Sequence, residues 1–177
     1  MQNNKIIQLG DPQLRQKSQP VSSEMFATDH LNTISNSLIN LMQENNGVGL
    51  AAPQIGISQQ ILVLGFEKSK RRPHEKPIPI TVLINPEIFP DSNVIIEEYE
   101  TCLSIGNGLA GKVPRYEKIF YRAFNTEGLL IEREVSGLHA RIVQHEFDHL
   151  NGIVFLDRVQ DSKTFGFYEE LLKSGLI

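Results

Sequence analysis

Residues 145–149 read His-Glu-Phe-Asp-His, and no other stretch constrains the chain so tightly. On a helix, residues four apart stand one turn apart on the same face, so both imidazoles can reach a single ion. Glu146 projects beside that face, where a carboxylate can act as general base toward a water molecule. Leu138 and Ile142 belong to the same face, so the imidazoles point into an apolar interior. Buried there they need a partner, and one metal ion satisfies both. Ser136 stands where an N-cap belongs and Gly152 where the helix should stop, which predicts a helix to about residue 150. Phe147 and Leu150 are read as core. Asp148 is read either as a support for a ligand imidazole or as a solvated or capping residue. His30, His74 and His139 are read as ordinary surface or helix residues.

Before that helix, the spacing of Leu31, Ile34, Leu38, Leu41 and Met42 predicts a helix over 29–45, ended by Asn46-Gly47. Gly10-Asp11-Pro12 is a turn signal. Residues 47–54 read as a loop or irregular strand. Strands are predicted at 61–66, 80–85, 94–102, 118–125 and 129–135, with Asn125-Thr126-Glu127-Gly128 as a hairpin turn between the last two. Residues 68–79 are charged and proline-containing, which predicts an exposed loop. A last helix is predicted over 162–172. The strands precede the helix that carries the chemistry and do not alternate with helices, so the class is α+β. The expected form is small antiparallel or mixed sheets packed around a central metal-binding helix, with an N-terminal and a C-terminal helix beside it.

The chain's 177 residues predict one domain over 1–177, large enough to bury a core without disulfides. A net charge of −4 offers no basic excess for nucleic acid. No apolar run is long enough for a transmembrane helix and the first ten residues do not read as a signal peptide, so a cytoplasmic, monomeric protein is expected.

A catalytic metal site usually takes three protein ligands and leaves one position open. No Glu or His follows His149 at the spacing of the common zinc proteases. The remaining soft donor is Cys102, the one cysteine, in Glu100-Thr101-Cys102-Leu103-Ser104. A lone cysteine is by default a buried structural thiol, and a protease-type nucleophile is a second reading. Metal ligation is preferred because His145 and His149 otherwise lack a third ligand.

With that segment the chain resembles the peptide deformylases. Three motifs carry the resemblance in order: Gly47-Val48-Gly49-Leu50-Ala51-Ala52-Pro53-Gln54, Glu100 to Ser104, and the His145 helix. Leu14-Arg15, Ile84-Asn85-Pro86, Val113-Pro114-Arg115 and Gln144 match as well. The resemblance implies hydrolysis of the formyl group of N-formyl-methionyl nascent peptides. It implies one divalent ion, iron(II) in the family, with nickel or cobalt supporting activity and zinc less of it; ligand chemistry alone would favour zinc. Gln54 and the Leu103 N–H are implied as donors to the carbonyl oxygen, and Glu146 as the proton carrier. Val48 and Gly49 are implied to pair with the extended substrate. A methionine pocket is implied near Val48, Leu138 and Ile142, with Glu100 and Thr101 beside it.

Thr101 replaces the family's glycine, which predicts an altered, narrowed cleft. Ala110 stands where many bacterial members carry arginine, which removes a peptide-side contact and, with three nearby glycines, predicts a mobile loop before Pro114. Arg71-Arg72-Pro73 is read as a solvated loop, with a ribosome contact as its other reading. Two further functions are weighed: a zincin-type peptidase, which should carry a His or Glu third ligand downstream, and a non-catalytic or weakly active homologue that binds N-terminal peptides.

Overall fold

The structure, a computed structural model, describes residues 5–68 and 74–177. The Thr28 hydroxyl accepts a hydrogen bond from the Leu31 N–H (3.3 Å) and caps α1 (Asp29–Glu44). Leu31, Ile34, Leu38 and Met42 form its buried stripe. Asn46 ends the approach to the next element with φ at 52°, a left-handed conformation that asparagine tolerates. The strands that follow are β1 (Gly49–Ala51), β2 (Ile61–Phe66), β3 (Ile78–Pro90), β4 (Ile95–Thr101), β5 (Leu109–Tyr116), β6 (Lys118–Phe124), β7 (Leu130–Ser136) and β8 (Gly166–Phe167). Two more helices are α2 (Gly137–Leu150) and α3 (Tyr168–Lys173).

The strands form two antiparallel sheets, one ordered β1-β2-β3-β6-β7 and one ordered β4-β5-β8. β2 explains why the larger sheet lies between helices. All six of its residues are buried, so it has no solvent face. Ile61 and Val63 pack with Leu31, Leu38 and Met42 of α1. Leu62 and Leu64 pack with Ala140, Val143 and Leu150 of α2. Each fully buried side chain of this kind contributes about 1.5–3 kcal/mol. A third cluster, built on Cys102, Ile105, Val113, Val154 and Phe155, lies against the smaller sheet.

Helix α2 is locked to that smaller sheet by side chains. The Gln144 amide accepts from the Tyr116 N–H (3.0 Å) and donates to the Tyr116 carbonyl (2.9 Å). At its end, Gly152 has φ at 72°, and a Cβ there would fall 2.6 Å from the Arg15 carbonyl oxygen. Both conformation and space therefore require glycine.

Three expectations need correction. The strand predicted over 80–85 continues to Pro90. Asn85 turns the backbone to φ 50°, the pairing with β6 shifts register between Ile84 and Glu87, and the Asn85 amide bonds both backbone groups of Val21. The loop expected before Pro114 is a 3-10 turn (Gly106–Gly108) leading into β5. Ala110 is fully buried in β5, opposite Thr101 on one side and Gly166 on the other. The helix expected over 162–172 divides into a 3-10 turn (Ser162–Thr164), β8 and α3, because Gly166 pairs with β5 and packs against Leu171. His74 is exposed. The Arg71-Arg72-Pro73 stretch lies outside the described residues.

Candidate metal centre

Cys102 leaves β4 into a tight turn closed by the Ile105 N–H on the Cys102 carbonyl (3.0 Å). The turn aims its sulfur at α2. Among the described residues, the donor atoms of Cys102, His145 and His149 form one group, all within 4.8 Å of one another. The sulfur lies 3.2 Å from His149 Nε2. The two imidazole rings stand edge to face, 5.2 Å apart, and Phe155 stacks on His145. All three donor residues are buried. A buried thiol and two buried imidazoles whose donor atoms converge fit a soft-to-borderline divalent ion. Burial, reinforced by the charge of His145, holds His149 well below the usual imidazole range and therefore neutral, the form a ligand needs. Burial also opposes charge on His145, but bonds to Cys102 and Glu100 outweigh it and raise its affinity for a proton. A metal ion on that ring would take the proton's place.

Glu146 lies beside the group, buried, with Oε2 free of any hydrogen bond partner. Burial pushes its pKa up to about 7. β1 approaches it so closely that a Cβ on Gly49 would fall 2.8 Å from Glu146 Cγ and Cδ. The glycine is thus explained by the carboxylate behind it. Gln54 is held by its own turn: Oε1 accepts from the Ala51 N–H (2.8 Å). That leaves Nε2 to donate to Ser104 Oγ (3.1 Å) and to face Cys102 Sγ at 3.5 Å.

Glu100, expected at the substrate pocket, has a second engagement. Its Oε2 bonds His145 Nδ1 at 2.8 Å, and its two oxygens are gripped by Arg115 Nε and NH2 at 2.9 and 3.0 Å. Burial alone would raise its pKa, but the His145 bond and the Arg115 charge hold it well below the usual carboxylate range. Asp148 is neither solvated nor on an imidazole. It lies buried between Arg115 (2.5 Å) and Arg158 (2.6 Å).

Gln54, Glu100, Cys102, His145 and Glu146 line a cleft of about 110 Å³. Gly47, Val48, Gly49, Thr101, Leu103, Leu138 and Ile142 line it as well, and Ile142 is also part of the buried core. Thr101 is not among the residues with positive φ, so its backbone suits a β-branched side chain. Sequence reasoning missed Arg141, which also lines the cleft, and the roles of Ser104 and Arg115. Arg141 could have been found from its four-residue spacing to His145.

The polypeptide deformylase family model matches residues 3–165. The chain belongs to this family. It is 43% identical to peptide deformylase 1 of Nitrosomonas europaea over 97% of this chain and 96% of that one. It is 44% identical to peptide deformylase 2 of Pseudomonas syringae over 93% of this chain and 91% of that one. Among solved structures, the Met-Ala-Ser-bound class I type b peptide deformylase of Acinetobacter baumannii matches with a TM-score of 0.84. The two are 34% identical, and the match covers 88% of this chain and 97% of the other. An inhibitor complex of the Plasmodium falciparum peptide deformylase matches with a TM-score of 0.76 at 31% identity, covering 96% of this chain and 95% of the other.

Proposed function

We propose that this chain is a metal-dependent deformylase that hydrolyses the formyl group of N-formyl-methionyl peptides and releases formate. The observation that carries this reading is the convergence of Cys102, His145 and His149 beside the buried Glu146, whose Oε2 has no hydrogen-bond partner, with Cys102, His145 and Glu146 lining one cleft. Cys102, just after β4, and His145 and His149, on α2, would hold the ion. When bound, a divalent ion supplies Lewis acidity, bringing a water toward neutral ionisation and polarising a carbonyl. Iron(II) is the metal we assign, on the resemblance to the family.

Glu146 takes the proton of the attacking water, and the water oxygen forms the new bond to the formyl carbon. Charge gathers on the former carbonyl oxygen, where Gln54 Nε2 and the Leu103 N–H donate hydrogen bonds. As the carbon–nitrogen bond breaks, Glu146 gives its proton to the departing amine. The products are formate and a free N-terminus. A base whose pKa lies near 7 can both accept and return a proton at neutral pH. Backbone at Val48 and Gly49 pairs with the extended substrate, and Leu138 and Ile142 receive the methionine side chain. Thr101 narrows the cleft mouth, so Thr101→Gly should raise kcat/KM severalfold; no gain would count against that role.

The test is formate release from formyl-Met-Ala-Ser by protein purified without oxygen and loaded with iron(II) or nickel(II). Turnover is the expected result. A folded, metal-loaded protein that releases no formate overturns the reading and favours a peptide-binding homologue.

A further inference from the structure

Arg141 lies one helical turn before His145 on α2 and is buried. Every nitrogen of its guanidinium is engaged. NH1 donates to Glu100 Oε1 (2.8 Å) and to the Val113 carbonyl (2.9 Å). NH2 donates to the Ile96 carbonyl (2.6 Å), and Nε faces Glu98 Oε2 at 3.1 Å. Charges of alternating sign then run Glu98, Arg141, Glu100, Arg115, Asp148, Arg158, from β4 to the 3-10 turn that follows α2. The two end members are half-exposed and the four inner ones buried. His145 hangs from the middle, on Glu100 Oε2.

Arg115 and Arg141 grip Glu100 in different frames. Arg115 belongs to β5, so its bidentate hold fixes the carboxylate relative to the smaller sheet. Arg141 belongs to the same helix as His145. It closes a triangle of Arg141, Glu100 and His145 over a single turn of α2, which fixes the carboxylate relative to the imidazole itself.

We infer that Arg141 is a positioning residue of the metal centre. Through Glu100 it sets the orientation of the His145 ring, keeping Nδ1 on the carboxylate and Nε2 for the ion. The inference rests on the reading of Cys102, His145 and His149 as ligands. Partners of ligand imidazoles commonly affect metal affinity about 10–100-fold.

The test is cobalt(II) affinity, measured by chelator competition, together with the cobalt d–d absorption spectrum, in the full chain. Arg141→Met should bind cobalt(II) about 10–100-fold more weakly than the unaltered protein, with a changed spectrum. Arg141→Lys keeps a cation for Glu100 but cannot also hold Ile96 and Val113. It should recover most of the affinity while melting lower. Glu98→Gln, at the exposed end, should bind cobalt(II) normally. A folded Arg141→Met protein with unaltered affinity and spectrum, and only a lower melting temperature, would reduce Arg141 to a structural tie and overturn the inference. Should Arg141→Met fail to fold, Arg141→Lys decides, since an affinity that collapses despite the retained cation is also contrary. An unaltered protein that binds no cobalt(II) would remove the ligand reading itself, and this inference with it.

Discussion

At Gly49 a hydrogen stands where any other residue would place a carbon inside the Glu146 side chain. Glu146 is buried directly behind that hydrogen, so Gly49→Ala must displace the carboxylate. A shift of about 1 Å at a reacting group can cost about 10²-fold in rate. Gly49→Ala should therefore lose roughly that much kcat/KM in a formate-release assay while keeping its circular dichroism and metal content. A variant within a few-fold of normal would show that the carboxylate can relocate freely. This scale also shows what sequence can convey. The i,i+4 histidines are legible because helical spacing alone places them together. The ionic chain around Glu100 and Asp148 is not, because Glu100 and Arg115 meet through the pairing of β4 with β5, Asp148 reaches Arg115 through the docking of α2, and Arg158 comes from the 3-10 turn after α2. Gly49 is legible as a place of close approach, but the group that approaches it, Glu146, lies far away in the sequence.

Among the elements, α1 and β2 follow directly from apolar spacing. Leu38 illustrates the energetics. It is fully buried between α1 and the larger sheet, and Leu38→Ala should destabilise the fold by about 2–5 kcal/mol in urea unfolding. A loss below 1 kcal/mol would mean that the α1 stripe is not the core contact described. β5 escapes sequence reading for a physical reason. Its first residues are preceded by Gly106 and Gly108 and it contains Gly111 and Pro114, residues that weaken local strand preference. It forms because β4 pairs along it from Tyr116 to Ala110 and because Phe165 covers Gly111, where a Cβ would fall 2.9 Å from the ring. The C-terminal helix is overestimated for the opposite reason: local helical composition over 162–172 yields to the pairing of Gly166 with Ala110.

For the molecule as a whole, the candidate ligands join separate parts. Cys102 follows β4 of the smaller sheet, and His145 and His149 sit on α2, which packs on the larger one. An ion held by all three should stabilise the folded chain by mass action, about 2.7 kcal/mol at a hundredfold excess over Kd, which raises Tm by roughly 5–10 °C for a chain of this size. Thermal melts with excess nickel(II) and with chelator should differ accordingly, and coincident melts would contradict a bridging ion. Among the described residues no helix is long and apolar enough to cross a membrane. The α+β class and the antiparallel hairpins are legible from strand order and turn residues, whereas the split into two sheets is not, since it depends on β5. The most direct test of the account is Glu146→Ala, assayed for bound metal and formate release in the same preparation. We predict about one ion per chain with turnover reduced about 10²–10⁴-fold. Turnover close to that of the unaltered enzyme would contradict the role given to Glu146, and loss of the ion together with turnover would make Glu146 part of the metal site instead.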